Sequence, residues 1–178
     1  DTLGTLNYKS KGVRQLSAHC ITDESNGDLL FFDYAVNPPY MTYGVLNKRT
    51  ELVNFTPIDL PGARLPHSMA FTPNYSILMD LPMFWDPELL KKDIHKVTFY
   101  PELQSRFGIL DRLASGDSIR WFTAEPCYIY HIINSWEEGR EVVLDVCRMS
   151  TPVPSREVRK NLSGPYGAML AWLKLDAC

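Results

Sequence analysis

Residues 65–82, "LPHSMAFTPNYSILMDLP", read as two short apolar strands joined by a tight turn. Side chains alternate along a strand with a period of two, so His67, Met69 and Phe71 share one face. Thr72-Pro73-Asn74 supplies the turn, the ring of Pro73 fixing φ and Asn74 tolerating unusual backbone angles. A β-rich run resumes at Tyr75 and closes at Asp80-Leu81-Pro82. His67 is thereby expected to point, with two large apolar residues, toward an interior.

The same rhythm extends to both sides. Ser25-Asn26-Gly27-Asp28 is a turn, and Leu29 to Tyr34 behind it is a compact apolar strand. Asn37-Pro38-Pro39-Tyr40 is expected to run extended, because the two prolines forbid helix and ladder donation. Met41 to Leu46 and Leu52 to Ile58 form a hairpin turned at Asn47-Lys48-Arg49-Thr50. In "WDPELLKK", Asp86 caps one short helical turn with Pro87 at its first position. Phe107 to Leu110, Ile119 to Thr123, Cys127 to Ile133 and Val142 to Val146 are further strands. Ser115-Gly116-Asp117 and Glu137-Glu138-Gly139 occupy gaps between them, the latter as a solvated turn. Only the tail, past Thr151-Pro152-Val153-Pro154 and ending in "GAMLAWLKLDAC", departs from the pattern. The class is all-β, and the pattern alone leaves sandwich, barrel and propeller open.

The chain has 178 residues, 45% of them hydrophobic, enough for one globular domain with a sizeable core. A net charge of -3 carries no basic footprint for nucleic acid or an anionic membrane. No apolar run approaches the ~18 residues of a membrane span. Asp1-Thr2-Leu3-Gly4 lacks the basic and apolar regions of a signal peptide. Cys20, Cys127, Cys147 and Cys178 form no C-x-x-C pair and are expected as reduced thiols, which suits a cytoplasmic protein.

Chemistry centres on the four histidines. His19 in "QLSAHCIT", His67 in "RLPHSMAFT" and His131 in "EPCYIYHIINSWEE" have apolar or small neighbours, whereas His95 in "KKDIHKVTF" is flanked by charge and faces solvent. On a regular strand His131 shares its face with Cys127, Ile129 and Ile133. A single histidine in such a setting is more often a satisfied core residue than a ligand. Burying three imidazoles costs free energy unless each finds a partner, and one shared metal ion would serve all three. Ser17 and Ser68 lie in no nucleophile elbow, and no Gly-rich phosphate loop is present. Trp121, Phe122, Tyr128 and Tyr130 fit core packing better than a substrate tunnel.

"LPHSMAFTPNYSILMDLPMFWDPELL", "SRFGIL" and "IRWFTAEPCYIYHIINSWEEGREVVLDVCR" together resemble the carotenoid cleavage oxygenases, the family that includes the lignostilbene dioxygenases. "GDLLFFDYAVNPPYMTYGVL" and the earlier "LSAHC" match in the same order, so the resemblance covers nearly the whole chain. It implies part of a seven-bladed β-propeller with iron(II) on the axis, and residues 1–178 as a single partial propeller domain. It implies a dioxygenase that uses O2 to split a carbon–carbon double bond of a conjugated apolar carotenoid, apocarotenoid or stilbene. By motif, His19, His67 and His131 match iron ligands and His95 matches none. The family's fourth histidine and its supporting glutamates have no counterpart in these residues, so the chain is expected to be an internal portion of a longer enzyme, with an incomplete centre when alone. Cys20 and Ser68 stand where the motifs usually carry proline and aspartate. The resemblance leaves room for peripheral membrane contact but not for a span. A second reading from the same residues is a non-catalytic apolar-ligand binder or structural propeller piece.

Overall fold

Turn chemistry divides the chain into successive antiparallel meanders. The computed structural model describes residues 4–5, 7–150 and 152, and the backbone of 168–176. The first sheet is built from β1 (Ile21–Asp23), β2 (Asp28–Tyr34), β3 (Met41–Leu46) and β4 (Leu52–Ile58), in that spatial order. Asp23 folds its turn by accepting from the backbone N–H of Ser25 at 3.0 Å and from its hydroxyl at 2.6 Å, and Gly27 takes φ +81°. Asn47 closes the next hairpin, its Oδ1 accepting from the N–H groups of Arg49 and Glu51.

The second sheet repeats the plan with β5 (Ala70–Phe71), β6 (Tyr75–Asp80), β9 (Ser105–Asp111) and β10 (Arg120–Ala124) in order. Between β6 and β9 the chain makes an excursion through β7 (Met83–Trp85), the single-turn helix α1 (Pro87–Leu90) and β8 (Val97–Phe99). Asp86 caps α1 by accepting from the N–H groups of Glu88 and Leu89, with Pro87 at the first helical position. The third sheet is β11 (Tyr128–Glu138), β12 (Glu141–Met149) and β13 (Ala168–Asp176). Four-stranded meanders following one another in sequence are the building unit of a β-propeller.

The sheets stack face to face, and alternation along the strands of the middle sheet feeds two cores. Leu78 and Leu110 join Leu30, Phe32, Met41 and Tyr43 of the first sheet. Ile77, Met79, Phe107 and Ile109 face the other way, onto Ile129, Val142 and Leu144 of the third. Covered on both faces, β6 is buried from Ser76 to Asp80, which explains its unbroken apolar run. Gly44 lies under the Phe31 ring, where a Cβ would stand 2.3 Å from Cζ.

Several expectations change. The apolar run at 65–71 is ladder-bonded only at Ala70–Phe71, so residues 65–69 approach as irregular chain. Asn37-Pro38-Pro39-Tyr40 is a bend that closes β2 onto β3, Ala35 N–H donating to the carbonyl of Tyr40 at 3.0 Å, and not an extended connection. The tail keeps the rhythm: the backbone of 168–176 pairs along the whole of β12. Glu137 and Glu138 end β11 instead of forming a solvated turn. Cys20, Cys127 and Cys147 are free thiols, and Cys178 lies outside the described residues. Among the described residues no helix is long and apolar enough to cross a membrane.

Candidate metal centre

Each of the three sheets delivers one histidine at its first strand. His19 lies two residues before β1. Its approach is fastened by Ser17, whose N–H donates to the carbonyl of Phe32 at 2.8 Å and whose carbonyl accepts from the Cys20 thiol at 2.9 Å. Cys20, at the position the motif usually gives to proline, thus substitutes a thiol–backbone bond for a fixed φ.

His67 lies three residues before β5 on the irregular segment. With no ladder to hold it, that segment is tethered by side chains. Arg64 Nε donates to Asp80 Oδ1 at 2.6 Å, and the Tyr128 hydroxyl donates to the carbonyl of Leu65 at 2.5 Å. Arg106 donates to the other oxygen of Asp80, so one buried carboxylate anchors two guanidinium groups. Ser68 is buried and its hydroxyl donates to the carbonyl of Met69 at 3.3 Å.

His131 lies on β11, where the pairing with β12 slips between Ile129 and Ile132 and again between Ile132 and Asn134. Each slip is a β-bulge that inserts one residue and turns later side chains. The expected shared face therefore breaks up: Cys127 and Ile129 are buried, while His131 and Ile133 are exposed. The bulge, and not alternation, aims His131 at its neighbours.

The three rings meet. Ring centroids are 4.4 Å apart for His19 and His67, 5.4 Å for His67 and His131, and 5.6 Å for His19 and His131. One nitrogen from each ring lies within 4.8 Å of the others. Burial, and then the neighbouring His19 and His131, hold the His67 imidazole below its ordinary pKa, which favours its neutral form. His95 is elsewhere, between α1 and β8, half exposed, with Nε2 3.3 Å from Asp93. Its placement agrees with its charged sequence neighbours.

Clefts open on two sides of the cluster. One, of about 650 Å³, has His19 and His131 in its wall with Met69, Phe71, Ile132 and Ile133. The other, of about 400 Å³, is lined by His67 with Tyr34, Met83, Val97, Tyr128 and Tyr130. Trp121, Phe122, Tyr128 and Tyr130 all pack in or against the inter-sheet cores, and Tyr130 also lies edge-on to the His67 ring at 5.2 Å, beside Tyr128. Sequence reasoning missed Arg64, Asp80 and the tethering role of Tyr128. The available signal was Asp80 itself, a charge inside an apolar run, which is buried only when paired.

Successive antiparallel meanders that each bring a histidine to one point define a β-propeller with a histidine-lined centre. The chain belongs to the retinal pigment epithelial membrane protein (RPE65) family, carotenoid oxygenases in the wider sense, which it matches over residues 1–170. It is similar to a carotenoid 9,10(9',10')-cleavage dioxygenase of Crocus sativus, 41% identical over 153 residues that cover 85% of this chain and 28% of the relative. It is 31% identical over 150 residues to an isoeugenol monooxygenase of Pseudomonas nitroreducens, covering 82% of this chain and 31% of that one. Its fold matches the crystal structure of a lignostilbene dioxygenase of Pseudomonas brassicacearum with a TM-score of 0.71 and 25% identity, over 82% of this chain and 32% of that one. The chain thus spans 28% to 32% of the length of these relatives.

Proposed function

We propose that these residues form part of an iron(II)-dependent dioxygenase that cleaves a carbon–carbon double bond of a conjugated apolar molecule with O2, and that His19, His67 and His131 are three of its iron ligands. We read residues 1–178 as one partial propeller domain of that enzyme. The observation that carries the reading is the convergence, from three separate sheets, of three imidazole nitrogens within 4.8 Å.

The donor set fits the ion. Neutral imidazole suits iron(II), and three protonated rings this close would repel. Bound there, iron(II) would supply the activation of molecular oxygen. The chain's own residues do the remaining work. His67 stays neutral and free to ligate because burial and its two neighbours disfavour its proton. Met83, Val97, Tyr128 and Tyr130 offer an apolar, aromatic wall against which a flat conjugated substrate stacks and from which water is displaced. Both oxygen atoms of O2 end in the two carbonyl products, so no side-chain acid or base is required. The relatives named as a carotenoid-cleavage dioxygenase and a lignostilbene dioxygenase support this substrate class.

The test uses the full-length protein loaded anaerobically with iron(II). One iron per chain is expected, lost in His19→Ala, His67→Ala and His131→Ala and kept in His95→Ala. Oxygen-dependent formation of two carbonyl products from a stilbene or apocarotenoid should follow the same pattern. Equal iron in all four variants would end the ligand assignment.

A further inference from the structure

The three first strands, β1, β5 and β11, belong to different sheets, so no backbone ladder sets their mutual placement. Apolar packing between sheets is non-directional and tolerates sliding. Metal ligation does not, since ligand distances are held to within roughly 0.2 Å. Something directional must therefore link the strands.

The turn between β5 and β6, residues 72–74, bonds directly to β11 and, through Arg112, to β1. On one side Arg112, just past the end of β9 and only 9% exposed, donates from Nη1 to Asp23 Oδ2 of β1 at 2.6 Å and to the carbonyl of Pro73 at 3.2 Å. Its backbone N–H donates to the carbonyl of Asn74 at 3.2 Å. On the other side Asn74 donates twice to Glu137 of β11, from its backbone N–H at 3.0 Å and from Nδ2 at 2.8 Å. Ser135, also on β11, donates from its hydroxyl to the carbonyl of Phe71 at 2.6 Å. The spacing repeats. Asp23, Phe71 and Ser135 each stand four residues after His19, His67 and His131. Every histidine is thus followed, four positions on, by a residue bonded outside its own sheet.

We infer that Arg112, Asp23, Asn74 and Glu137 are positioning residues, a cross-brace that fixes how the three strands sit and so how far apart the three imidazoles stand; the inference rests on the reading of these histidines as a metal centre. Glu137 accepts both bonds from Asn74 as a carboxylate. A methyl group in its place leaves both Asn74 donors without that acceptor, whereas an amide still meets them once the Asn74 side chain turns over.

Cobalt(II) binding to the full-length protein tests this, followed by its visible absorption band and its affinity. Glu137→Ala is expected to weaken cobalt binding about ten-fold, the lower end of what loss of outer support costs a metal site, and to shift the band. Glu137→Gln, whose amide accepts from the Asn74 backbone and donates to the turned-over Asn74 side chain, is expected to stay close to wild type in both readouts. Thr42→Val removes a hydroxyl bonded to Asp33 inside the first sheet. That variant should lose stability while keeping the wild-type band, which separates positioning from folding. A wild-type band and affinity in Glu137→Ala, or an equal loss in Glu137→Gln, would overturn the brace. A wild-type protein with no cobalt band dependent on His67 would instead overturn the metal reading, and the brace with it.

Discussion

β3 and β11 are both strands, yet they are built by different rules. β3 runs for six residues, all buried, in near-unbroken register with strands on both sides. β11 runs for eleven, slips register twice, and mixes buried with exposed positions. The contrast repeats in the other sheets, where β1 and β5 have only three and two ladder residues. Regular pairing sends side chains to alternating faces, which suits a layered core and cannot aim three rings at one point. Where the histidines converge, the ladder is short, bulged or absent, and directional side-chain bonds replace it. Stability resides in the sheets and their cores, and site geometry in the first strands.

That division can be broken by substitutions that touch only one side of it. Phe32→Ala removes a fully buried ring from the core between the first two sheets. It should cost about 3–5 kcal/mol in chemical denaturation, with one iron per folded chain retained. Loss of the iron from still-folded protein would show that the sheets also set the site. Asp80→Asn acts on the other side. It should cost about 1–3 kcal/mol, because two guanidinium groups lose a shared carboxylate. Its sharper signature is faster amide exchange confined to residues 62–69, the tether of His67. Uniform exchange across the sheets would count against a separate tether.

The smallest effect is in pH. Burial alone would raise the Glu137 carboxyl, but hydrogen bonds from Thr72 and Asn74 outweigh it and hold the group below its ordinary 4.5. The hydrogen bond from Ser25 leads, against burial, in lowering Asp23 below 3.8, and Arg112 adds to it. Near these values the unfolded chain binds more protons than the folded one, so stability rises with pH. The contribution is complete above the ordinary values and is lost as pH falls through the depressed ones. Thermal midpoints should accordingly drop as pH is lowered below about 4.5, and less steeply in Glu137→Gln. Parallel slopes in wild type and variant would remove the carboxylate from the brace.

What was legible in the sequence follows the same line. Leu29 to Tyr34, Met41 to Leu46 and Leu52 to Ile58 are strands within a residue of their expected limits, because turn residues and apolar runs mark ladder-bonded structure directly. The three histidine motifs stood out by neighbours and by family resemblance, and His95 stood apart for a local reason, its charged flanks. The face of His131 was not legible, since nothing in "CYIYHIIN" shows where an extra residue is absorbed opposite β12. Glu137 looked like part of a solvated turn because Asn74, its partner, lies 63 residues away in the chain.

The sequence by itself determined the all-β class, most strand limits, the capped turn at Asp86 and the identity of the three histidines. These depend on contacts within a few residues, where propensity and alternation act. Only the tertiary structure decided that the rings meet, that bulges aim His131, and that Arg112 and Glu137 tie the strands together. Those outcomes depend on how separate sheets pack, through partners distant in the chain, and no local pattern encodes such a distance.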